Sequence, residues 1–358
     1  MFFFRTVGGS DVGLGHLFRC LAVANAVRDL QETDLLFVVN NEPVVKEVLS
    51  RYGFPFVVID GASVSLAFVE SLAQQHGDDN RHVVYIDMKG DIGPEIRAWR
   101  GVAASIMLMD NLSPANELAD IVVLPVPFVP VPLRGSNIDG TRVRYGGEWV
   151  PVASRFQKVR RLLPVFRERK CILVTVGGAD PNRLVLKLMR ALASIEDVRV
   201  KVVMGFAAHF KSEVYNLNKS LGQRFEIIEN TDHMELLMKD AGLAVTALGT
   251  TIYELATLGV PTVVLSNYRD DKMDEYELSQ LGWILPLGYH LNVGEDQIRD
   301  VVSRLWDDIR GRENMSTIAM STIDGRGAER ISRELMNLVS VMRRKIDPVD
   351  PRDGDLQV

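Results

Sequence analysis

"FFFRTVGGSDVGLGHLFRCLAVANAVRDL", residues 2–30, holds a short apolar run, a glycine-rich turn and a longer amphipathic stretch. That order predicts a strand, a tight turn and a helix. The alternation continues. "DLLFVVN", "FPFVVID", "HVVYIDM" and "ASIMLMDN" read as strands, with "EPVVKEVLSRYG", "SLAFVESLAQQHG" and "GPEIRAWRGV" as helices between them. Strands this apolar, separated by helices, predict a parallel sheet covered on both faces. The first domain is expected over residues 1–155.

The stretch after residue 125 is rich in proline, glycine and charge, and reads as a connection between domains. The alternation restarts with "CILVTV", "GGADP" and "NRLVLKLMRALASI". "VRVKVVMG", "FEIIEN", "LAVTA" and "PTVVLSN" follow as strands, with helices "HMELLMKDAG" and "TTIYELATLG" among them. This predicts a second doubly wound domain over 165–310, a helical segment over 311–345 and a disordered tail over 346–358. The fold class is therefore α/β, with two Rossmann-like parallel-sheet domains. Ligands of such sheets bind at the carboxyl ends of the strands, so a substrate is expected in a cleft between the domains.

The 358 residues are 47% hydrophobic and 25% charged, the balance of a soluble globular protein. A net charge of −6 gives no support to nucleic-acid binding. The apolar run before Arg5 is too short for a signal peptide. "IVVLPVPFVPVPL" (121–133) carries four prolines and cannot make a spanning helix. No transmembrane segment is expected. Cys20 and Cys171 are too few and too far apart for a disulfide framework or a zinc set, which points to a cytoplasmic location. The histidines show no metal-ligand spacing, so no metal and no cofactor are expected.

Candidate chemistry sits in the turns that follow strands. In "GGSDVGLGH" (8–16), Gly13 and Gly15 allow a tight turn and close approach of a ligand. The third glycine of a dinucleotide fingerprint is replaced by Phe18, and strand 2 ends in Asn40 rather than an acid, which disfavours a nicotinamide cofactor. His16 falls in the first helical turn, where the positive helix end disfavours imidazolium. It is either a base or a residue that only caps or packs. In "GGADP" (177–181), Gly177 and Gly178 permit close approach, and Asp180 either caps the helix or holds a ligand hydroxyl. In "TALGTTIYELATLGVP" (246–261), Gly249, Thr250 and Thr251 form a phosphate cradle at a helix start. Glu254, one turn on, is placed for ribose hydroxyls. Asp87 and Asp110 end first-domain strands and either orient His16, bind a sugar, or initiate turns, and Arg19, three residues after His16, is a candidate substrate ligand.

These blocks, in this order, resemble the PseG/SpsG-like proteins. The opening strand with Arg5 leads to Gly-x-Gly-His-x-x-Arg (Gly13 to Arg19). It is followed by "MDN", "YGGEWVPV", "TVGGADP" and "DHMELLMKDAGLAVTALGTTIYELATLGVPTVVL", spanning about residues 4–285. The resemblance implies the GT-B fold, related to the lipid II glycosyltransferase MurG, with a UDP-sugar in the cleft. It implies that Gly177, Gly178, Thr250, Thr251 and Glu254 hold the uridine diphosphate. It also implies His16 as the general base for water attacking the anomeric carbon, as in the UDP-sugar hydrolase of pseudaminic acid synthesis.

Two departures are Val7, where such sequences carry an acid, and "SNYRDDKMDEYEL", where an Asn-Gln pair is typical. The expected function is a metal-independent UDP-sugar hydrolase of nonulosonic-acid, spore-coat or other surface polysaccharide biosynthesis, as a monomer or homodimer. The alternatives are a GT-B glycosyltransferase that uses an acceptor hydroxyl, and a catalytically silent nucleotide-sugar-binding protein.

Overall fold

The computed structural model describes residues 1–346 except 10–11, 32, 62, 77–81, 103, 128–141, 179, 207 and 230. The expected tail therefore lies outside the described residues past Ile346. The first sheet contains β1 (Phe2–Thr6), β2 (Leu35–Asn40), β3 (Phe56–Ile59), β4 (Val83–Asp87), β5 (Ser105–Met109), β6 (Ile121–Leu124) and β7 (Val143–Tyr145). Helices α1 (Gly15–Leu30), α2 (Pro43–Arg51), α3 (Leu66–Gln75) and α4 (Gly93–Gly101) connect its strands. The chain then passes through α5 (Ser154–Arg160) to the second sheet.

That sheet contains β8 (Cys171–Thr175), β9 (Arg199–Met204), β10 (Glu226–Glu229), β11 (Ala241–Ala247), β12 (Thr262–Ser266) and β13 (Ile284–Tyr289). Its helices are α6 (Leu184–Leu192), α7 (Lys211–Ser220), α8 (Met234–Met238), α9 (Thr251–Thr257), α10 (Lys272–Ser279), α11 (Glu295–Asp307) and α12 (Ile309–Thr322), before the terminal α13 (Gly327–Ile346).

All strand pairs are parallel, in the orders β3-β2-β1-β4-β5-β6-β7 and β10-β9-β8-β11-β12-β13. Two doubly wound parallel sheets are what the alternation predicted. Each central strand is buried along its length, since helices cover both faces. In each sheet the chain winds one way from a central strand and then the other. β1 and β4 flank the first switch point, and β8 and β11 the second. Outside the strand ends at such points the connecting turns diverge and leave a crevice.

Three strands were not anticipated. β6 runs directly into Pro125, β7 has three residues, and β13 carries Pro286 and Gly288, so each has weak local signals. The segment read as a connection also supplies β7 to the first sheet and the helix α5. The helical segment expected over 311–345 is two helices with different partners. α12 packs on α9 of the second half. α13 returns to α1, where Ala328, Ile331 and Leu335 complete the first core with Leu17, Leu21 and Tyr85. The amphipathic face of α13 thus ties the chain's end to its beginning.

Candidate active site

The first-domain wall is built where β1, β4 and β5 end. β1 and β4 pair in register, with Thr6 opposite Asp87, so the turn after β1 meets the end of β4. Gly13 turns the chain at φ +72°, its carbonyl accepting from Gly9, and α1 begins at Gly15. This points the first turn of α1 at Asp87. His16 Nδ1 lies 2.7 Å from Asp87 Oδ1. Arg19, one turn on, donates Nε to Asp87 Oδ2 (2.9 Å) and Nη2 to Oδ1 (2.7 Å). Its Nη1 donates to Asp110 Oδ2 at 2.7 Å.

The tautomer follows from the chemistry of Asp87. Burial works to raise its carboxyl, but Arg19 and His16 outweigh this and hold it below the ordinary carboxylate range. An ionised carboxylate only accepts, so a 2.7 Å contact requires Nδ1 to carry the proton. The 2.9 Å approach of Arg19 Nη2 to Nδ1 is then two donors sharing one oxygen. Nε2 keeps its lone pair. Nothing among the described residues hydrogen-bonds it, and His16 lines the cleft.

The second-domain wall comes from the turns after β8 and β11. Gly177 adopts φ +82°, which suits glycine. The turn after β11 is anchored by the Leu248 amide on Leu265 O. The amides of Gly249, Thr250 and Thr251 have no acceptor among the described residues and face the same cleft. Glu254, one turn into α9, has no hydrogen-bond partner there either. Burial pushes its carboxyl up to about 7, with Arg155 pulling it down and Glu235 pushing it further up. Arg155 Nε and Glu235 Oε2 are 3.1 Å apart, off the axis of a hydrogen bond, and Arg155 Nη1 also donates to Tyr52 across the domains (3.3 Å).

The two walls enclose a cavity of about 410 Å³, which every one of these turns lines. They meet closely at two points. A Cβ on Gly15 would stand 3.3 Å from Thr250 Cγ2, and one on Gly178 would stand 3.1 Å from Leu14 Cδ1. His16 is thereby brought beside the free amides of the second domain.

Hydrogen bonds distinguish three of the candidates. Arg19, a candidate substrate ligand, commits three of its five N–H donors to Asp87 and Asp110, which fixes its guanidinium at the edge of the cleft. Asp87 is fully buried and cannot touch a ligand; it orients His16. Asp180 is a cap. Its two oxygens accept from the amides of Leu184 (2.8 Å) and Val185 (3.0 Å), while burial raises its carboxyl to about 6 against those bonds. Asp110 keeps Oδ1 open to the cleft.

The sequence reading missed Lys89, Tyr52, Arg155, Phe206 and Asn267, which also line the cavity. Lys89 and Asn267 lie just past strand ends and were findable by that rule; Tyr52 and Arg155 carry no local signal. Among the described residues no three His, Cys, Asp or Glu side chains converge as a metal set. No helix among them is long and apolar enough to cross a membrane.

Residues 171–279 match the glycosyltransferase family 28 C-terminal domain. The chain is 28% identical over 201 residues to the spore coat polysaccharide biosynthesis protein SpsG of Bacillus subtilis, covering 55% of this chain and 59% of that protein. It spans 54% and 59% of the length of the curated relatives it matches. Among solved structures, MurG of Acinetobacter baumannii superposes with a TM-score of 0.65 at 14% identity, over 94% of this chain and 99% of that one. The UDP co-structure of S. aureus MnaA gives 0.64 at 15% identity, over 99% of each chain. The chain is thus similar in sequence to SpsG over part of its length and shares the two-domain GT-B fold of MurG.

Proposed function

We propose that this chain is a UDP-sugar hydrolase of surface polysaccharide or nonulosonic-acid biosynthesis, acting at the anomeric carbon with His16 as general base. The observation that carries the reading is the 2.7 Å contact of His16 Nδ1 with Asp87, which leaves Nε2 as an oriented proton acceptor facing the cleft. The nucleotide side rests on the free amides of Gly249 to Thr251 for the diphosphate and on Glu254 for the ribose hydroxyls. SpsG homology and the UDP bound in S. aureus MnaA support the ligand class.

In the reaction, Nε2 takes a proton from water as the water oxygen bonds to the anomeric carbon. The bond from that carbon to the diphosphate oxygen breaks, and UDP leaves with the electron pair. The free amides meet the charge developing on the leaving group. The products are free sugar and UDP, and the imidazolium returns its proton to solvent.

The family 28 match favours a second reading, transfer to an acceptor hydroxyl by the same base. Incubating purified protein with UDP-sugars and no acceptor separates the two. Release of free sugar with UDP supports hydrolysis, whereas UDP release only when an acceptor is added supports transfer. Failure to bind UDP by calorimetry would remove both.

A further inference from the structure

Among the described residues, three cationic side chains line the cleft. Arg19 is held by Asp87 and Asp110, and Arg155 by Glu235. Lys89 has neither an ion pair nor a hydrogen bond among the described residues. The backbone that carries it is nevertheless fixed. Asn111, only 2% exposed, donates Nδ2 to Met88 O (3.0 Å) and to Gly90 O (2.9 Å), gripping the carbonyls on either side of Lys89. Gly90 completes the turn at φ +89°. Next to Asn111, Asp110 sits at φ +52°, a conformation uncommon outside glycine, and presents Oδ1 to the same space. A buried amide thus fixes the turn that carries Lys89, whose exposed ammonium has no counter-charge among the described residues.

Its place along the sheet says what it faces. Gly15, which meets Thr250, follows β1, whereas Lys89 follows β4, Asp110 follows β5, and Pro125 and Val126 follow β6. Neighbouring strands are about 4.8 Å apart, so this floor runs roughly 5 to 14 Å away from the Gly15–Thr250 contact. With the diphosphate at the amides of Gly249 to Thr251, the floor faces whatever the diphosphate carries.

We propose that Lys89 is a specificity-determining residue that recognises an anionic group, a carboxylate or phosphate, on the glycosyl unit. Asp110 Oδ1 accepts from a neighbouring hydroxyl. The proposal rests on the reading of the cleft as a UDP-sugar site. An ammonium in a partly enclosed cleft makes charge-assisted hydrogen bonds to such a group that a neutral sugar cannot match.

Calorimetric titration of the full chain with UDP, UDP-glucose and UDP-glucuronic acid tests it, comparing wild type with Lys89→Gln and Lys89→Arg. Wild type should prefer UDP-glucuronic acid over UDP-glucose by roughly tenfold. Lys89→Gln should erase that preference, Lys89→Arg should retain most of it, and all three should bind UDP alike. No preference in wild type, or a preference that survives Lys89→Gln, overturns the proposal. Weaker UDP binding by Lys89→Gln also overturns it, since Lys89 would then serve the diphosphate.

Failure of wild type to bind UDP would sink the nucleotide reading alone. Lys89 is then decided by reductive 13C-methylation, following its methyl resonance as D-glucuronate is added, with Lys89→Arg giving the assignment. An unmoved resonance overturns the subsite, and a shift supports it. A shift with free glucuronate in the UDP complex, without any preference among the UDP-sugars, would place the anion on a separate acceptor and overturn the assignment to the glycosyl unit.

Discussion

Arg19 and Asp87 meet through two parallel hydrogen bonds, and the oxygen that takes Arg19 Nη2 also takes His16 Nδ1. One buried carboxylate therefore sets both the direction of the histidine and the identity of its proton-bearing nitrogen. On the proposed function, His16 is a base already oriented before substrate arrives.

Removing the base tests this directly. His16→Ala should lower UDP-sugar turnover by about 10²- to 10⁴-fold while leaving UDP affinity, read by calorimetry, within a few-fold. Turnover that survives would assign the base elsewhere.

Asp87→Asn carries a different signature. Turnover should fall as for His16→Ala, because an amide no longer selects the Nδ1–H tautomer. Stability should also drop, by about 3–5 kcal/mol, since Arg19 loses its buried counter-charge. Asp87 is held below its unfolded value, so its contribution is present above about pH 4 and is lost as pH falls through the native value. The gap in urea midpoint between wild type and variant should therefore narrow under acid.

Glu254 has the opposite sign. Its carboxyl is raised to about 7, so between the unfolded value and 7 the native state binds the extra proton and stability falls as pH rises. Glu254→Gln should raise the melting temperature of the unliganded protein at pH 8 and change it little near pH 5. On the proposed nucleotide site, where the ionised carboxylate takes the ribose hydroxyls, it should also weaken UDP binding at pH 8. A variant that binds UDP as wild type does would take Glu254 out of the nucleotide site.

Gly15→Ala probes the contact between the domains. The added Cβ would stand 3.3 Å from Thr250 Cγ2, so the Thr250 side chain, or the wall that carries it, must give by a few tenths of an ångström. Alanine suits a helix start at least as well as glycine, so the melting temperature should hold. KM for a UDP-sugar should rise several-fold, because His16 is carried away from the second domain. An unchanged KM would show that this contact plays no part in closure.

Behind the site, Arg5 Nε donates to Glu95 Oε1 at 2.6 Å, with both side chains buried. Glu95→Ala should cost about 3–5 kcal/mol in urea denaturation. Arg5→Met combined with Glu95→Ala should recover much of that loss, since no buried charge is then stranded.

Most of the architecture was legible because strand and helix periodicity act within a few residues. The strands that escaped notice are those whose local signals conflict: β6 ends at Pro125, and β13 contains Pro286 and Gly288. The partners of α12 and α13 were invisible for another reason. An amphipathic helix states that it must be covered, not by what, and α13 is covered by α1 more than 300 residues away. The candidate site was half legible. Strand-end turns pointed to Gly13, His16, Gly177, Gly249 and Glu254, but the same rule could not distinguish an aspartate that orients from one that binds.

By itself, the sequence determined two parallel α/β sheets, their glycine turns at strand ends, and a histidine in the first turn of α1. These depend on side-chain alternation and on backbone freedom at single positions. Only the tertiary structure decided the contacts of Arg19, Asp87 and Asp110. Strand order β1-β4-β5 brings together groups 68 to 91 residues apart, and the carboxylates of Asp87 and Asp110 fix the arginine between them. Lys89 became conspicuous for the converse reason: among the described residues, Arg19 and Arg155, the other cations of the cleft, had found partners.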